Sequence, residues 1–594
     1  MNYELIKPVK EHFSAIEQIL TNRNIPLEEI KDYLNTTDST IYEPELFGED
    51  NLLNALRTLI KCVSNNKKAI VIVDSDCDGF TSSAVLINYL YDLFPAWVEN
   101  NLTWFLHEGK EHGLADFPFD KIKDVDLFLV PDASSNDYEI HSYLKEYEKD
   151  IIILDHHEAD KISEDAIVIN NQLCDYPNKF LSGVGVVWQF CRYIDKKLNY
   201  NYADKYIDLV ALGLCGDMMS MVSLETKHLI QKGLKQINNP FFVTMVEKSA
   251  YKMANPTPMG VAFYVVPYIN AVVRSGTMEE KDIVFQSMLS HKAFQKILSN
   301  KRGHKPGELE QVYVQATRTV INVKNRQTRA QDAGMEKLES MIEKQNLLKN
   351  KVLLFLLEPG DIDKNIAGLI ANKITAKYQR PCCILTKVVE NDKVSYIGSA
   401  RGCDKAGVIN FKDICEETGY INFAQGHQGA FGLSIPVEDE SESEVQGDSI
   451  YGFIDRTNEI LKDIKDEAVY YVDYIYDGHN VIPEHILEIA NFEDLWGKDM
   501  DEPFVALKSL KVTKDMLTLM SPDKKPTLKI TLPNKVSLIK FNSSQEEYES
   551  LLSQQGYIEI NVVGTCNKNV WGNNVYPQIL ITDYEIIDRV KYIF

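Results

Sequence analysis

VIVDSDCDGF, residues 71–80, runs a β-branched apolar segment straight into three carboxylates at alternate positions, Asp74, Asp76 and Asp78, and then Gly79. Three like charges so close together repel one another, so a cationic group among them is the expectation to test along the rest of the chain. The apolar run is continuous rather than alternating, as in a strand buried on both faces of a parallel sheet.

The same pattern recurs. "VDLFLV" precedes Asp132 by one residue, "DIIIL" precedes Asp155, and "AIVIN" follows, with helical patterns starting from about Ser82 and Ser135 between them. Strands alternating with helices imply βαβ units. In such sheets ligands bind beyond the carboxyl ends of the strands, so Asp74, Asp132 and Asp155 are delivered to one edge of one sheet. His156 and His157 follow Asp155 at once, and the apolar "DLVALGLCG" delivers Asp217. An isolated acid after a strand is ordinarily a turn or a helix N-cap, and a lone His157 would read as a satisfied core histidine. The set points elsewhere. Several carboxylates with one or two imidazoles suit Mn²⁺ or Mg²⁺, the mixed O/N shell leaning to Mn²⁺, and there are ligands for two ions. Two such ions form a clamp for phosphoryl displacement, activating a water and stabilising the leaving oxygen.

The chain has 594 residues, enough for three or four domains. Its formal charge is −24, which argues against an anionic partner except through a local basic groove or bound metal. The N-terminus has no apolar signal region and no apolar stretch is long enough to span a bilayer, so a cytoplasmic protein without membrane contact is expected. The ten cysteines contain no C-x-x-C and read as reduced core thiols. From about 225 to 350 the pattern is mostly helical and ends in a long charged helix. A second α/β unit starts at "KVLLFLLE" and stops at the acidic "PVEDESESEVQGDS"; beyond it come short strands of a small barrel or sandwich.

These residues resemble a known family. In order, "DSDCDG", "VPDASSND", "DHH" and "ALGLCGD" are similar to the four motifs of the DHH phosphoesterase superfamily. "INNQLCDYPNKFLSGVGVVWQF" and "INAVVRSG" resemble segments of the RecJ single-strand-specific exonucleases. "GSARG" and "GHQGAFGLSI" resemble the associated DHHA1 domain, and "NVWGNNVYPQILITDYEI" the end of the RecJ OB fold.

The resemblance implies an α/β architecture: a parallel-sheet DHH domain, a connecting long helix, a smaller α/β DHHA1 domain and a C-terminal OB-like β-barrel. The implied boundaries are an N-terminal helical segment over 1–50, the DHH domain over 51–235, helices and the connecting helix over 236–350, DHHA1 over 351–437, an acidic linker over 438–449 and the OB-like domain over 450–594. Asp74, Asp76, Asp78, Asp132, His156 and Asp217 would hold two Mn²⁺ or Mg²⁺ ions. His157, backed by Asp155, would contact the scissile phosphate or orient water. Arg274, and Ser399 with Arg401, match positions that hold DNA phosphates, including the 5′ end, and His427 matches the substrate-binding histidine of the glycine-rich motif at the interdomain cleft.

Departures from the family fall in "LHEGKEHGL", where His107 and His112 stand near positions commonly Arg and Tyr, so phosphate gripping there passes to His107 or Lys110. A second departure is Gln425-Gly426-His427 in place of Gly-Gly-His. In the OB-like region Lys535, Lys540, Phe541, Trp571 and Tyr576 are candidate contacts to a strand. The expected activity is metal-dependent 5′-to-3′ hydrolysis of single-stranded DNA to mononucleotides in repair, recombination or replication, with a helicase or single-strand-binding protein as a partner class the resemblance admits. The rivals are a DHH phosphodiesterase for short oligonucleotides or cyclic dinucleotides, disfavoured by the extra β domain, and a silent replication or repair scaffold, disfavoured by the intact ligand set.

Overall fold

The structure is a computed structural model that describes the chain except residues 110, 251–252, 254, 391–392, 438–447, 464–468, 522–524, 553–555 and 592–594. Lys110 and most of the expected acidic linker therefore lie outside the described residues. Two compact units emerge: residues 25–326 with 493–502, and residues 1–24 with 327–492 and 503–594. No helix among the described residues is long and apolar enough to cross a membrane.

The first unit is built on a five-stranded parallel sheet of order β2-β1-β3-β4-β5, with β1 at Ala69–Val73, β2 at Leu102–Leu106, β3 at Leu127–Pro131, β4 at Asp150–Asp155 and β5 at Ile167–Asn170. Every residue of β1 and β3 is buried, which is why their sequences carry no alternation. Ile70, Ile72, Phe128, Val130, Ile151 and Ile153 pack in one core on one face. Helix α1 (Cys77–Leu93) packs on β1 and β3 and α2 (Gly183–Leu198) on β3 and β4, and α3 (Ile207–Gly216) packs on both helices, with α1 also packed on α2. The first helix starts at Cys77, earlier than the Ser82 expected, so Asp78 lies in its first turn. Further on, α4 (Val266–Ser275) and α5 (Met278–Met288) both pack on α1.

The division between units falls within α6 (Val312–Gln345), whose Leu338 and Ile342 join the core of the second unit. That unit contains a five-stranded mixed sheet of order β9-β10-β8-β7-β6: β6 Leu353–Leu357, β7 Cys382–Glu390, β8 Lys393–Arg401, β9 Phe423–His427 and β10 Ala430–Val437. Helix α7 (Lys364–Tyr378) packs against β7 and β8. The C-terminal part is a seven-stranded, mostly antiparallel OB-like sheet containing two long strands, β11 (Gly556–Trp571) and β12 (Asn574–Lys591), paired to their tips. Nine of the ten cysteines are buried.

The N-terminus departs from the all-helical expectation. Asn2–Leu5 forms a strand paired in parallel with Val469–Val472. Four residues are too few to show a period, and the partner that fixes them is remote in sequence.

Candidate metal centre and phosphate-facing residues

Asp74 and Asp155 stand at the carboxyl ends of β1 and β4, and Asp132 follows β3, which lies between those two strands. Asp132 adopts φ 67°, the left-handed region, a conformation Asp tolerates better than most residues and one that recurs at functional sites. It is crowded by the start of α2. A Cβ on Gly183 would fall 2.6 Å from the Asp132 Cβ and 2.7 Å from its Cα, so only glycine allows this approach. Ser182 Oγ donates to Asp78 Oδ1 at 2.8 Å and the Val184 amide at 3.3 Å, setting a carboxylate on a helix N-terminus. Gly213 in α3 is a second close approach, where a Cβ would press on Asp78 Oδ1 and Thr81 Oγ1. Asp76 caps α1 by accepting from Gly79 N at 2.9 Å, so the helix-cap reading and membership of the cluster hold together.

Three overlapping sets of potential ligand atoms result, each within 4.8 Å: Asp132, His156 and His157; Asp78, His156 and Asp217; Asp74, Asp76 and Asp132. His156 Nε2 lies 3.2 Å from Asp132 Oδ1 and 3.4 Å from Asp217 Oδ2. Burial and then the charge of His157 push its pKa down to about 4, so the ring is neutral and has one nitrogen lone pair to offer a cation. Burial first, then neighbouring carboxylates, pushes Asp132 well up and Asp217 up to about 8; burial and Asp78 raise Asp76, and burial raises Asp78. Asp78 Oδ2 and Asp132 Oδ1 are buried and accept no hydrogen bond among the described residues. Buried carboxylate oxygens without donors are costly unless a cation meets them, so this donor set fits hard divalent ions.

Asp155 differs. Its Oδ1 accepts from the amides of His156 and His157 and from His157 Nδ1 (2.7, 3.1 and 2.8 Å), and its Oδ2 accepts from Ser135 N at 3.0 Å. Burial alone would raise its pKa, but the bond to His157 and that ring's charge win and hold it below the usual carboxylate range. His157 rises to about 9 through the same bond while its side chain stays 55% exposed. Asp155 thus orients His157, and belongs to none of the three ligand sets.

The remaining expected residues fall elsewhere. His107 is buried and paired with Asp116, a place that anchors a loop and does not offer the ring to a phosphate in solvent. It was expected as a phosphate grip because it stands near a position commonly Arg in the family, and sequence alone does not show the Asp116 partner. Arg274 is half-buried in the last turn of α4, a helix packed on α1. In the second unit, register aligns Arg401, Ala430 and His427 in one row across β8, β10 and β9, and Ser399, Gly432 and Gln425 in the next. Ser399, Arg401 and His427 therefore share a face, separated by small residues, and Arg401 and Ser399 lie over Gly368 of α7. Trp571 and Tyr576 are exposed near the tip of the β11–β12 ribbon; Phe541 is exposed too, on a neighbouring strand, whereas Lys540 is paired with Glu547. Sequence reading passed over Ser182, Gly183 and the link from His112 to Asp74; the run "SGVGVV" of small residues was the available signal for the first two.

The sequence profile described as DHH family, N-terminal domain, matches residues 68–214. The chain is 33% identical, over 99% of its own length and 98% of the relative's, to the provisionally named SPbeta prophage-derived single-strand DNA-specific exonuclease YorK of Bacillus subtilis. It is 25% identical to the single-stranded-DNA-specific exonuclease RecJ of Bacillus subtilis, over 94% of this chain and 66% of that protein. RecJ from Thermus thermophilus, solved in complex with Mn²⁺, shares the fold with a TM-score of 0.65, covering 97% of this chain and 78% of that one at 18% identity. With a relative one-third identical from end to end and the carboxylate-lined sheet edge falling largely inside the matched domain, this chain belongs to the DHH family, among its RecJ-like members.

Proposed function

We propose that this RecJ-like DHH nuclease hydrolyses single-stranded DNA from the 5′ end to mononucleotides, using two divalent ions, Mn²⁺ or Mg²⁺. The observation that carries the reading is the pair of buried carboxylate oxygens without donors, Asp78 Oδ2 and Asp132 Oδ1, inside three ligand sets linked to one another through Asp132 and His156. Asp76, Asp78, Asp132, His156 and Asp217 would hold the ions, with Asp74 beside them. Bound there, the ions would supply charge to the attacking and leaving oxygens of the phosphodiester.

The chain's own residues do the rest. Asp155 fixes the His157 ring through Nδ1 and leaves Nε2 to meet a phosphate oxygen or orient the attacking water. Ser182 and the Val184 amide keep Asp78 aimed, and Gly183 lets the helix start approach Asp132. Arg401, with Ser399 and His427 on one face of the mixed sheet, would hold the strand's phosphates, for which the guanidinium fork is suited, as would Arg274. The exposed Trp571 and Tyr576 offer stacking surfaces to bases. The relatives named for single-strand DNA, matched along the whole chain including the C-terminal sheet, support a polymer substrate over a dinucleotide.

The test is a single-stranded oligonucleotide labelled at the 5′ end in one reaction and the 3′ end in another, with Mn²⁺, Mg²⁺ or EDTA, beside Asp132→Ala. Immediate release of the 5′ label as a mononucleotide, dependent on metal and absent from the variant, is expected. Cutting of dinucleotides alone, or of nothing under any metal, overturns the reading.

A further inference from the structure

The geometry points to His112 as a second imidazole that meets the scissile phosphate, its Nε2 donating to a non-bridging oxygen while Asp74 holds its Nδ1. The inference rests on the phosphodiester hydrolysis proposed above and adds a catalytic residue to it.

Two aspartate–histidine pairs stand on this sheet edge and are built alike. In one, Asp155 at the end of β4 is buried and holds His157 Nδ1 at 2.8 Å, leaving the ring 55% exposed. In the other, Asp74 at the end of β1 is equally buried and holds His112 Nδ1 at 2.7 Å, leaving the ring 65% exposed. Because β3 lies between β1 and β4, the two carboxylates stand on either side of Asp132, about 10 Å apart at ordinary strand spacing. The rings are near enough that the charge of His157 acts on His112. A phosphate seated over Asp132 would have one imidazole on each side.

The way the carboxylate oxygens are used places Asp74 with Asp155. Asp74 Oδ1 accepts from Gly113 N at 2.9 Å and Oδ2 from His112, so each oxygen already has a donor, as in Asp155. Asp78 and Asp132 each keep an oxygen with none. A carboxylate held on Nδ1 turns Nε2 outward, toward the place a phosphate over Asp132 would occupy.

The segment that presents His112 is anchored at several points. Lys281 of α5, itself buried, donates to the carbonyls of His107 and Glu108 at 2.7 Å each. His107 pairs with Asp116, and Leu114 N donates to Ser134 Oγ at 3.0 Å. A merely solvated surface histidine has no need of such a mounting.

Substitutions separate holding Asp74 from reaching phosphate. In His112→Asn the amide nitrogen replaces Nδ1 and keeps the bond to Asp74, but nothing occupies the Nε2 position; in His112→Gln the amide reaches that position. His112→Asn is expected to lose about 10–100-fold in kcat, with KM and the Mn²⁺ concentration for half activity unchanged, and His112→Gln to recover part of the loss. A His112→Asn rate equal to wild type, or one regained by raising Mn²⁺, would show that His112 only props a ligand and overturn the inference. A second readout needs no turnover: in protein labelled with [¹⁵N]histidine and loaded with Mg²⁺, the Nε2 resonance absent from His112→Asn should shift on adding thymidine 5′-monophosphate, and a resonance that stays put overturns the inference. Were the wild type to cut no DNA, the function reading would fail while this arm still decided His112.

Discussion

At the edge of the parallel sheet Asp74, Asp78, Asp132 and Asp155 are buried, and Asp78 and Asp132 each leave an oxygen without a donor; on the mixed sheet of the second unit, Ser399 and Arg401 are half-buried and His427 is exposed. The first arrangement raises the free energy of the empty site, because like charges share a low-dielectric crevice. The second costs less, since its groups are less deeply buried and bring no like charges together. The difference separates two tasks: groups that must polarise a reacting phosphate are worth storing desolvated, whereas groups that only grip a strand are not.

Removing the most costly member should have the largest effect. Asp132→Ala is expected to lower kcat about 10²–10⁴-fold at saturating Mn²⁺ while raising the melting temperature of the metal-free protein, since a buried, donorless carboxylate oxygen disappears. Calorimetry of the metal-free variant beside its kinetics checks both halves, and a lower melting temperature breaks the contrast.

Gly183→Ala comes next. The added methyl has no room beside Asp132, so about 1–3 kcal/mol of stability and about 10²-fold in rate should be lost together, in contrast to the opposed signs of Asp132→Ala. On the gripping side, Arg401→Ala should raise KM for a 5′-phosphorylated strand about tenfold with kcat near wild type, the size of a charged hydrogen bond. A fall in kcat of the same size would place Arg401 with the reacting groups instead.

The smallest effect is a pH dependence of the metal-free protein between 6.5 and 8. Asp217, with its folded pKa pushed up to about 8, and His157, raised to about 9, both bind more protons folded than unfolded in this window, so stability should fall as pH rises. His156, lowered to about 4, acts in the opposite sense, but only near pH 6.5, where its unfolded form still titrates, and the two raised groups outweigh it. Melting temperatures at pH 6.5 and 8 should therefore drop by a few degrees without metal, and added Mn²⁺ should close more of the gap at pH 8.

The same contrast explains what could be read from the sequence. Asp74, Asp132 and Asp155 were legible because a parallel strand ends where its apolar run ends, and the carboxylate follows at once. The facing of Arg401 and His427 was not, since it depends on the register of three antiparallel strands, and a shift of one residue would have turned either side chain over. Strand-end position by itself does not separate Asp155, whose oxygens are filled by amides and His157, from Asp132, since it is the same for an orienting acid and a ligating one; the family resemblance was what set Asp155 behind His157. His107 was placed as a phosphate grip, and only the fold shows it buried on Asp116. The strand Asn2–Leu5 escaped because its pairing partner is at Val469–Val472.

The groups proposed to hold metal run from Asp76 to Asp217, from the ends of β3 and β4 and the termini of α1 and α3, with Ser182 and Gly183 needed to aim and seat two of them. No short stretch contains a working set. On the ribosome, a growing chain released as far as Asp132 or His157 would still lack α2, α3 and Asp217, so cutting ability would arrive only once this whole unit has emerged and closed. A nuclease built this way carries its own safeguard during synthesis, and proteolytic pieces of it should be harmless to DNA.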